Sequence, residues 1–161
     1  MANKPCKVHI DEVELKAFGR GEKFAARTAR IGEKLGMGKG GCSLVELEPG
    51  KCAWPYHLHF AQEELFIILE GEGTLRYDDE QYPVRKGDVI FTPTGRGTAH
   101  QIINTSQARL RYLALSSASD TELCYYPDSG KYGAYSHEPR FAFIAREGTG
   151  TDYWDGEVEE N

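Results

Sequence analysis

Residues 50–71 read GKCAWPYHLHFAQEELFIILEG, and this stretch decides the fold. His57 and His59 flank Leu58. On an extended strand, residues i and i+2 point to one face, so both imidazoles aim into the same space. A short loop, residues 60–63, then brings Glu64 back at the head of an almost continuous apolar run of strand length, Glu64–Glu70. The run stops at Gly71-Glu72-Gly73. A second stretch, GDVIFTPTGRGTAHQIIN over 87–104, sets His100 at the start of a later strand, with Ile102 and Asn104 on its side.

Outward from these two stretches the chain keeps one rhythm. Strands are expected at 43–48, 73–77, 81–84, 89–92, 99–104, 110–116, 122–126 and 141–145, separated by Gly, Pro and Asp turns. Short strands at near-regular spacing argue for an all-β barrel or sandwich. Residues 1–40 are less legible: 7–10 and 13–17 read as short strands. The segment 24–35 fits a helix, with Phe24 and Ile31 on one face, as well as a strand. The chain divides into an N-terminal extension over 1–40 packing on the barrel or a partner, a barrel over 41–147, and an acidic tail over 148–161.

Three imidazoles and one carboxylate form a ligand set for a transition metal. Mg and Ca prefer all-oxygen shells, whereas nitrogen with oxygen suits Mn, Fe, Co, Ni, Cu or Zn. Four protein ligands on a rigid barrel leave room for water or substrate, which marks a working site.

Residues 50–71 resemble the first motif of the cupin superfamily: a glycine, H-x-H, a glutamate, and a glycine six residues later. Glu64 is the match, because six residues separate it from Gly71. Six residues, not the usual five, separate Gly50 from His57. Residues 87–104 resemble the second motif, P-x-G, two residues, His, three residues, Asn. Here two additional residues lie between Gly95 and His100, while Gly97 keeps the expected distance. Both motifs occur in order and together cover about a third of the chain. The resemblance implies a single double-stranded β-helix (jelly roll) with one divalent metal ion, Mn, Fe, Ni or Zn, on His57, His59, Glu64 and His100. A weaker resemblance, on the Pro-Asp-Ser-Gly turn at 127–130 and the basic N-terminal region, is to small bacterial single-domain cupins labelled sugar-phosphate-isomerase-like.

Composition bounds the partners. The net charge of −6 is uneven: residues 1–40 carry nine Lys/Arg against five Asp/Glu, and the tail from Thr151 has five acids and no base. An acidic chain without a concentrated basic patch is a poor nucleic-acid binder. No apolar run reaches the roughly 18 residues of a membrane span. The N-terminus has no apolar leader, and Cys6, Cys42, Cys52 and Cys124 form no C-x-x-C pair, so a reducing cytoplasm is expected.

Trp54, Tyr56 and Phe60 bracket the histidines and read equally well as substrate-pocket walls or as barrel core. Cys52 reads as a small buried apolar residue or a neighbour of the site. Tyr126 and Lys131 are candidates for a proton donor and an anion anchor, and Arg27, Arg30 and Arg96 for an anion clamp; a solvated face is the plainer reading of all five. Gln101 and Asn104 are candidates for steadying a ligand imidazole, or, for Asn104, for capping a loop. Resemblance to cupins does not choose a reaction. The leading expectation is an isomerase or lyase acting on a small polar metabolite, a sugar phosphate or hydroxy acid, with Glu64 as the catalytic carboxylate. The alternatives are an Fe(II)-dependent dioxygenase and a non-catalytic binding or sensing module. A homodimer is expected by analogy, since an open sheet edge is safer covered.

Overall fold

The computed structural model describes residues 6–136 and 139–158. Its strands, in chain order, are β1 (Lys16–Arg20), β2 (Phe24–Arg30), β3 (Gly40–Leu47), β4 (Leu58–His59), β5 (Glu64–Glu70), β6 (Glu72–Tyr77), β7 (Glu80–Arg85), β8 (Val89–Thr92), β9 (His100–Ile103), β10 (Leu110–Ser117), β11 (Thr121–Tyr126), β12 (Lys131–Ser136) and β13 (Phe141–Arg146). A short α-helix, α1 (Ile31–Leu35), lies between β2 and β3, and a single 3-10 turn, Pro127–Ser129, joins β11 to β12.

The main sheet has the order β1-β2-β3-β10-β5-β8. Two smaller sheets, β7-β6-β9 and β13-β12-β11-β4, are joined by antiparallel bridges between His57 and His100 and between Cys52 and Ile103. They form the second wall of a double-stranded β-helix. Between the walls sits a core that takes Val45, Leu47, Phe66, Ile68, Leu110 and Tyr112 from the main sheet. Leu75, Val84 and Ile102 meet them from the other side. Fully burying a side chain such as Leu47, Ile68 or Leu110 contributes roughly 1.5–3 kcal/mol.

The period of β5 sets the site. Glu64, Phe66 and Ile68 share its inward face, so the same alternation that buries two apolar side chains carries one carboxylate inside. Gly71 ends this strand with φ +81°; a Cβ there would lie 2.3 Å from the Arg109 carbonyl oxygen, so only glycine fits. Asp78 and Asp79, both at positive φ, turn the β6–β7 hairpin.

The N-terminal region resolves the strand-versus-helix tie by using both. Residues 24–30 form β2, which pairs with β3, and 31–35 coil as α1 before Gly36 stops it in the left-handed region. Val8, Ile10, Val13 and Leu15 pack with Leu35 over Ala29, Ile31 and Leu44. Residues 7–10 and 13–15 are not strands; residues 8–35 instead widen the main sheet and cover its outer face. β12 was not anticipated, because Lys131–Ser136 lacks an apolar alternation; its pairing with β11 and β13 makes it a strand. The acidic tail is exposed and without strands through residue 158; its last three residues, and His137, lie outside the described residues. No helix among the described residues is long and apolar enough to cross a membrane.

Candidate metal centre

His57 and His100 face each other across a closely bonded pair: the His57 N–H donates to the His100 carbonyl at 3.2 Å and the His100 N–H to that of His57 at 2.8 Å. Their rings are 4.9 Å apart, and the His59 ring is 4.8 Å from that of His57. Glu64 reaches over from β5, its Oε2 2.7 Å from His100 Nε2 and 3.3 Å from His59 Nε2. One ligand atom from each of the four residues lies within 4.8 Å of every other. Three come from one wall of the barrel and one from the other, so only the closed fold assembles them.

The ring edges show which nitrogens are free. His57 Nδ1 is 2.8 Å from the Pro55 carbonyl and His100 Nδ1 is 3.0 Å from the Thr98 carbonyl. A carbonyl can only accept, so each Nδ1 carries a proton and each Nε2 faces the cluster, where that of His100 donates to Glu64 Oε2 at 2.7 Å, a proton whose place a bound metal would take. His59 Nδ1 lies 3.4 Å from the Cys124 sulfur and 3.7 Å from Glu122 Oε1. His59 Nε2 is buried with no hydrogen-bond partner. A buried polar atom without a hydrogen bond is costly unless something else engages it. Three converging Nε2 atoms, one orphaned, beside a carboxylate therefore fit a divalent transition metal.

Burial drives His57 down to about 4, with the positive charges of His100 and His59 acting in the same sense. Burial alone would depress His59 too, but the Cys124 thiol and Glu64 outweigh it and push His59 up to about 10. For Glu64, burial works toward protonation, but His100 and His59 hold its carboxyl well below the usual carboxylate range. The cluster thus keeps one neutral imidazole and one ionised carboxylate at neutral pH.

A small cavity adjoins the cluster, with His57, Glu64 and His100 in its lining. The rest of the lining includes Trp54, Phe66, Ile102 and Tyr112. Of the expected pocket residues, Trp54 lines it. Tyr56 and Phe60 instead pack with Leu58 and Ala99 in a separate small cluster. The Tyr56 ring carries the Arg76 guanidinium at 3.6 Å, and its hydroxyl accepts the Asp79 N–H.

Gln101 donates to the Trp54 carbonyl at 2.7 Å and steadies the cavity wall rather than an imidazole. Asn104 caps a loop: its amide donates to the Leu47 and Ala108 carbonyls. Cys52 is fully buried and Cys124 nearly so. Arg27 faces Glu46 and Arg30 bonds Glu33, so neither is directed at the cluster. The Tyr126 ring stacks on His57 at 6.0 Å and its hydroxyl meets that of Tyr135, with Lys131 Nζ 5.6 Å from the same ring. Sequence reasoning missed Glu122, Cys124 and Tyr112. The signal for the first two was their alternation on β11, which puts a carboxylate and a thiol on one buried face.

A family model described as a cupin domain matches residues 43–116. An oxalate-binding protein of Thermotoga maritima is 35% identical over 71 residues, 44% of this chain and 56% of that protein. The chain spans about half the length of the curated relatives it matches. Among crystal structures, a sugar phosphate isomerase from a cupin superfamily of Silicibacter pomeroyi has a TM-score of 0.79 at 24% identity, covering 92% of this chain and 98% of that one, a likeness of fold. A predicted oxalate decarboxylase of Thermotoga maritima has a TM-score of 0.60 at 27% identity, covering 70% of this chain and 99% of that one.

Proposed function

The chain belongs to the cupin superfamily, and we propose that it is a metal-dependent enzyme acting on a small, oxygen-rich metabolite beside His57, His59, Glu64 and His100. The observation that carries the reading is the convergence of three imidazoles on Glu64, with His59 Nε2 buried, 3.3 Å from Glu64 Oε2 and without a hydrogen bond. A divalent transition metal held by these four residues would polarise bound oxygens and acidify neighbouring C–H and O–H groups.

The protein's own residues supply the rest. Glu64 is the one carboxylate lining the cavity, so it is the group placed to take a proton from a ligand there. Trp54, Phe66 and Ile102 exclude water and strengthen every charge interaction within. The space beside the cluster is a small cavity walled largely by these apolar side chains. No Lys or Arg lines it, so a ligand's negative charge would be met by the cation. That favours short hydroxy acids, keto acids and dicarboxylates over phosphates, in keeping with the oxalate-related names of two relatives. An isomerase of sugar phosphates would need a phosphate anchor farther out, for which Lys131, beside the Tyr126 ring that stacks on His57, is a candidate.

A non-catalytic binding role is the second reading, favoured by one observation: Glu64 is already bonded to His100, and no further carboxylate faces the cavity. Protein purified without a His-tag is analysed for metal, then screened with short dicarboxylates, hydroxy acids and sugar phosphates by mass spectrometry and thermal shift. Turnover lost both on metal stripping and in His57→Ala is the expected result. Turnover that survives stripping rejects the metal-dependent reading, and stabilisation by an unchanged ligand selects the binding role.

The assembly is a homodimer in this reading. β8 ends the main sheet and exposes Val89 (63%) and Phe91 (53%), an apolar edge that a second copy would cover. Sedimentation of Phe91→Lys as a monomer beside a dimeric parent is expected; a monomeric parent refutes it. The four free cysteines fit a reducing cytoplasm.

A further inference from the structure

Two of the three imidazoles are anchored locally. His57 and His100 each use the carbonyl two residues earlier, Pro55 and Thr98. His59 does not repeat this device: the carbonyl two residues before it, that of His57, accepts the His100 N–H at 2.8 Å in the strand pairing. Its Nδ1 edge meets side chains of β11 instead. Cys124 stands directly opposite His59 in the β4–β11 register, with its sulfur 3.4 Å from Nδ1. Glu122, two residues along the same face, brings Oε1 to 3.7 Å.

Glu122 is itself an anomaly that asks for an explanation. It is 7% exposed, and its Oε2 is buried with no hydrogen-bond partner. Its Oε1 accepts the N–H groups of Phe60, at 2.9 Å, and Ala61, at 3.3 Å. Among the described residues no Lys or Arg pairs with it; its ionic neighbour is His59. A buried carboxylate without a cation is expensive, so it belongs with the charge of the cluster next door.

We propose that Glu122 and Cys124 are positioning residues: they hold the Nδ1 edge of His59 from β11 and so aim its Nε2 at the metal held by His57, Glu64 and His100. The inference rests on the metal-dependent reading. It makes His59 the one imidazole whose orientation depends on side chains rather than backbone, and hence the one that substitution can tune without touching a ligand. A negative charge behind a ligating imidazole also makes it a stronger donor.

The test is a titration of metal-stripped protein with Co(II) against a chelating indicator, read together with the visible spectrum of bound Co(II). Glu122→Gln keeps an oxygen for the Phe60 and Ala61 N–H groups and removes the charge. Cys124→Ala removes the sulfur. Each variant is expected to keep one metal equivalent, to bind it about 10–100-fold more weakly, and to shift the Co(II) spectrum as His59 reorients. A purely structural role would lower thermal stability and leave the spectrum alone. Should Glu122→Gln fail to fold, Cys124→Ser reads the same two quantities. Wild-type affinity and spectrum in the variants overturn the inference and leave the metal site standing. A second metal equivalent lost in Cys124→Ala also overturns it, since Cys124 would then be a ligand. No uptake by wild type removes the metal-dependent reading, and this inference with it.

Discussion

Glu64 is the one member of the cluster on the main sheet; the three histidines belong to the opposite wall. A metal held by all four ties the two walls of the barrel together, so occupancy is linked to global stability. A ligand that binds only the folded state stabilises it by RT ln(1 + [L]/Kd), about 2.7 kcal/mol at a hundredfold excess over Kd. For a chain of this size, 1 kcal/mol moves Tm by about 2–4 °C, so the metal should raise Tm by about 5–11 °C. Glu64→Gln preserves side-chain volume but removes the anionic ligand. If affinity falls about 100-fold, the top of the range for losing a mere supporting partner, [L]/Kd drops to about 1. The stabilisation shrinks to about 0.4 kcal/mol, and the Tm rise to about 1–2 °C. Differential scanning calorimetry of stripped and metal-loaded protein, for parent and variant at one fixed metal concentration, measures both numbers. An equal rise in the variant refutes the cross-wall linkage. No rise in the parent with Mn, Fe, Ni or Zn refutes the site itself.

Gly71→Ala should cost at least ~2 kcal/mol in urea unfolding, because the new Cβ would sit 2.3 Å from the Arg109 carbonyl oxygen at a left-handed φ. A variant as stable as the parent contradicts that close approach. Asn104→Ala strands the buried Leu47 carbonyl and leaves the Ser106 N–H without its acceptor, so a loss of about 1–3 kcal/mol is expected in the same assay. The N-terminal cover should loosen in acid. A hydrogen bond from Arg111 holds the Asp11 carboxyl below its ordinary 3.8, with His9 adding to the effect and Glu46 lying on the far side of Arg111. A depressed carboxylate contributes stability above its unfolded value and loses it as pH falls through the folded one. Hydrogen exchange in residues 8–15 should therefore quicken, relative to the core, below about pH 3.8; Asp11→Asn should abolish that relative change.

Much of the barrel, and the four residues that cluster inside it, were legible in the sequence. Strand alternation is a local property: H-x-H must put two imidazoles on one face, and Gly, Pro and Asp must break the chain where the turns fall. The choice of Glu64 over Glu63 came from the resemblance to the cupin motif, which sets six residues between the glutamate and Gly71.

What the tertiary structure alone decided is non-local. Residues 24–35 had tied periods, and pairing with β3 settled the first seven as strand. Lys131–Ser136 is a strand because β11 and β13 flank it. Trp54 came to line the cavity while Tyr56 and Phe60 went to another cluster, a division made by barrel curvature that no periodicity encodes. Glu122 and Cys124 stand more than 60 residues beyond the histidine they touch, and only the β4–β11 register brings them there. Local stereochemistry thus determined which side chains face inward, and long-range strand pairing determined which of them meet, because contacts between distant residues follow from closure of the sheet and not from spacing along the chain.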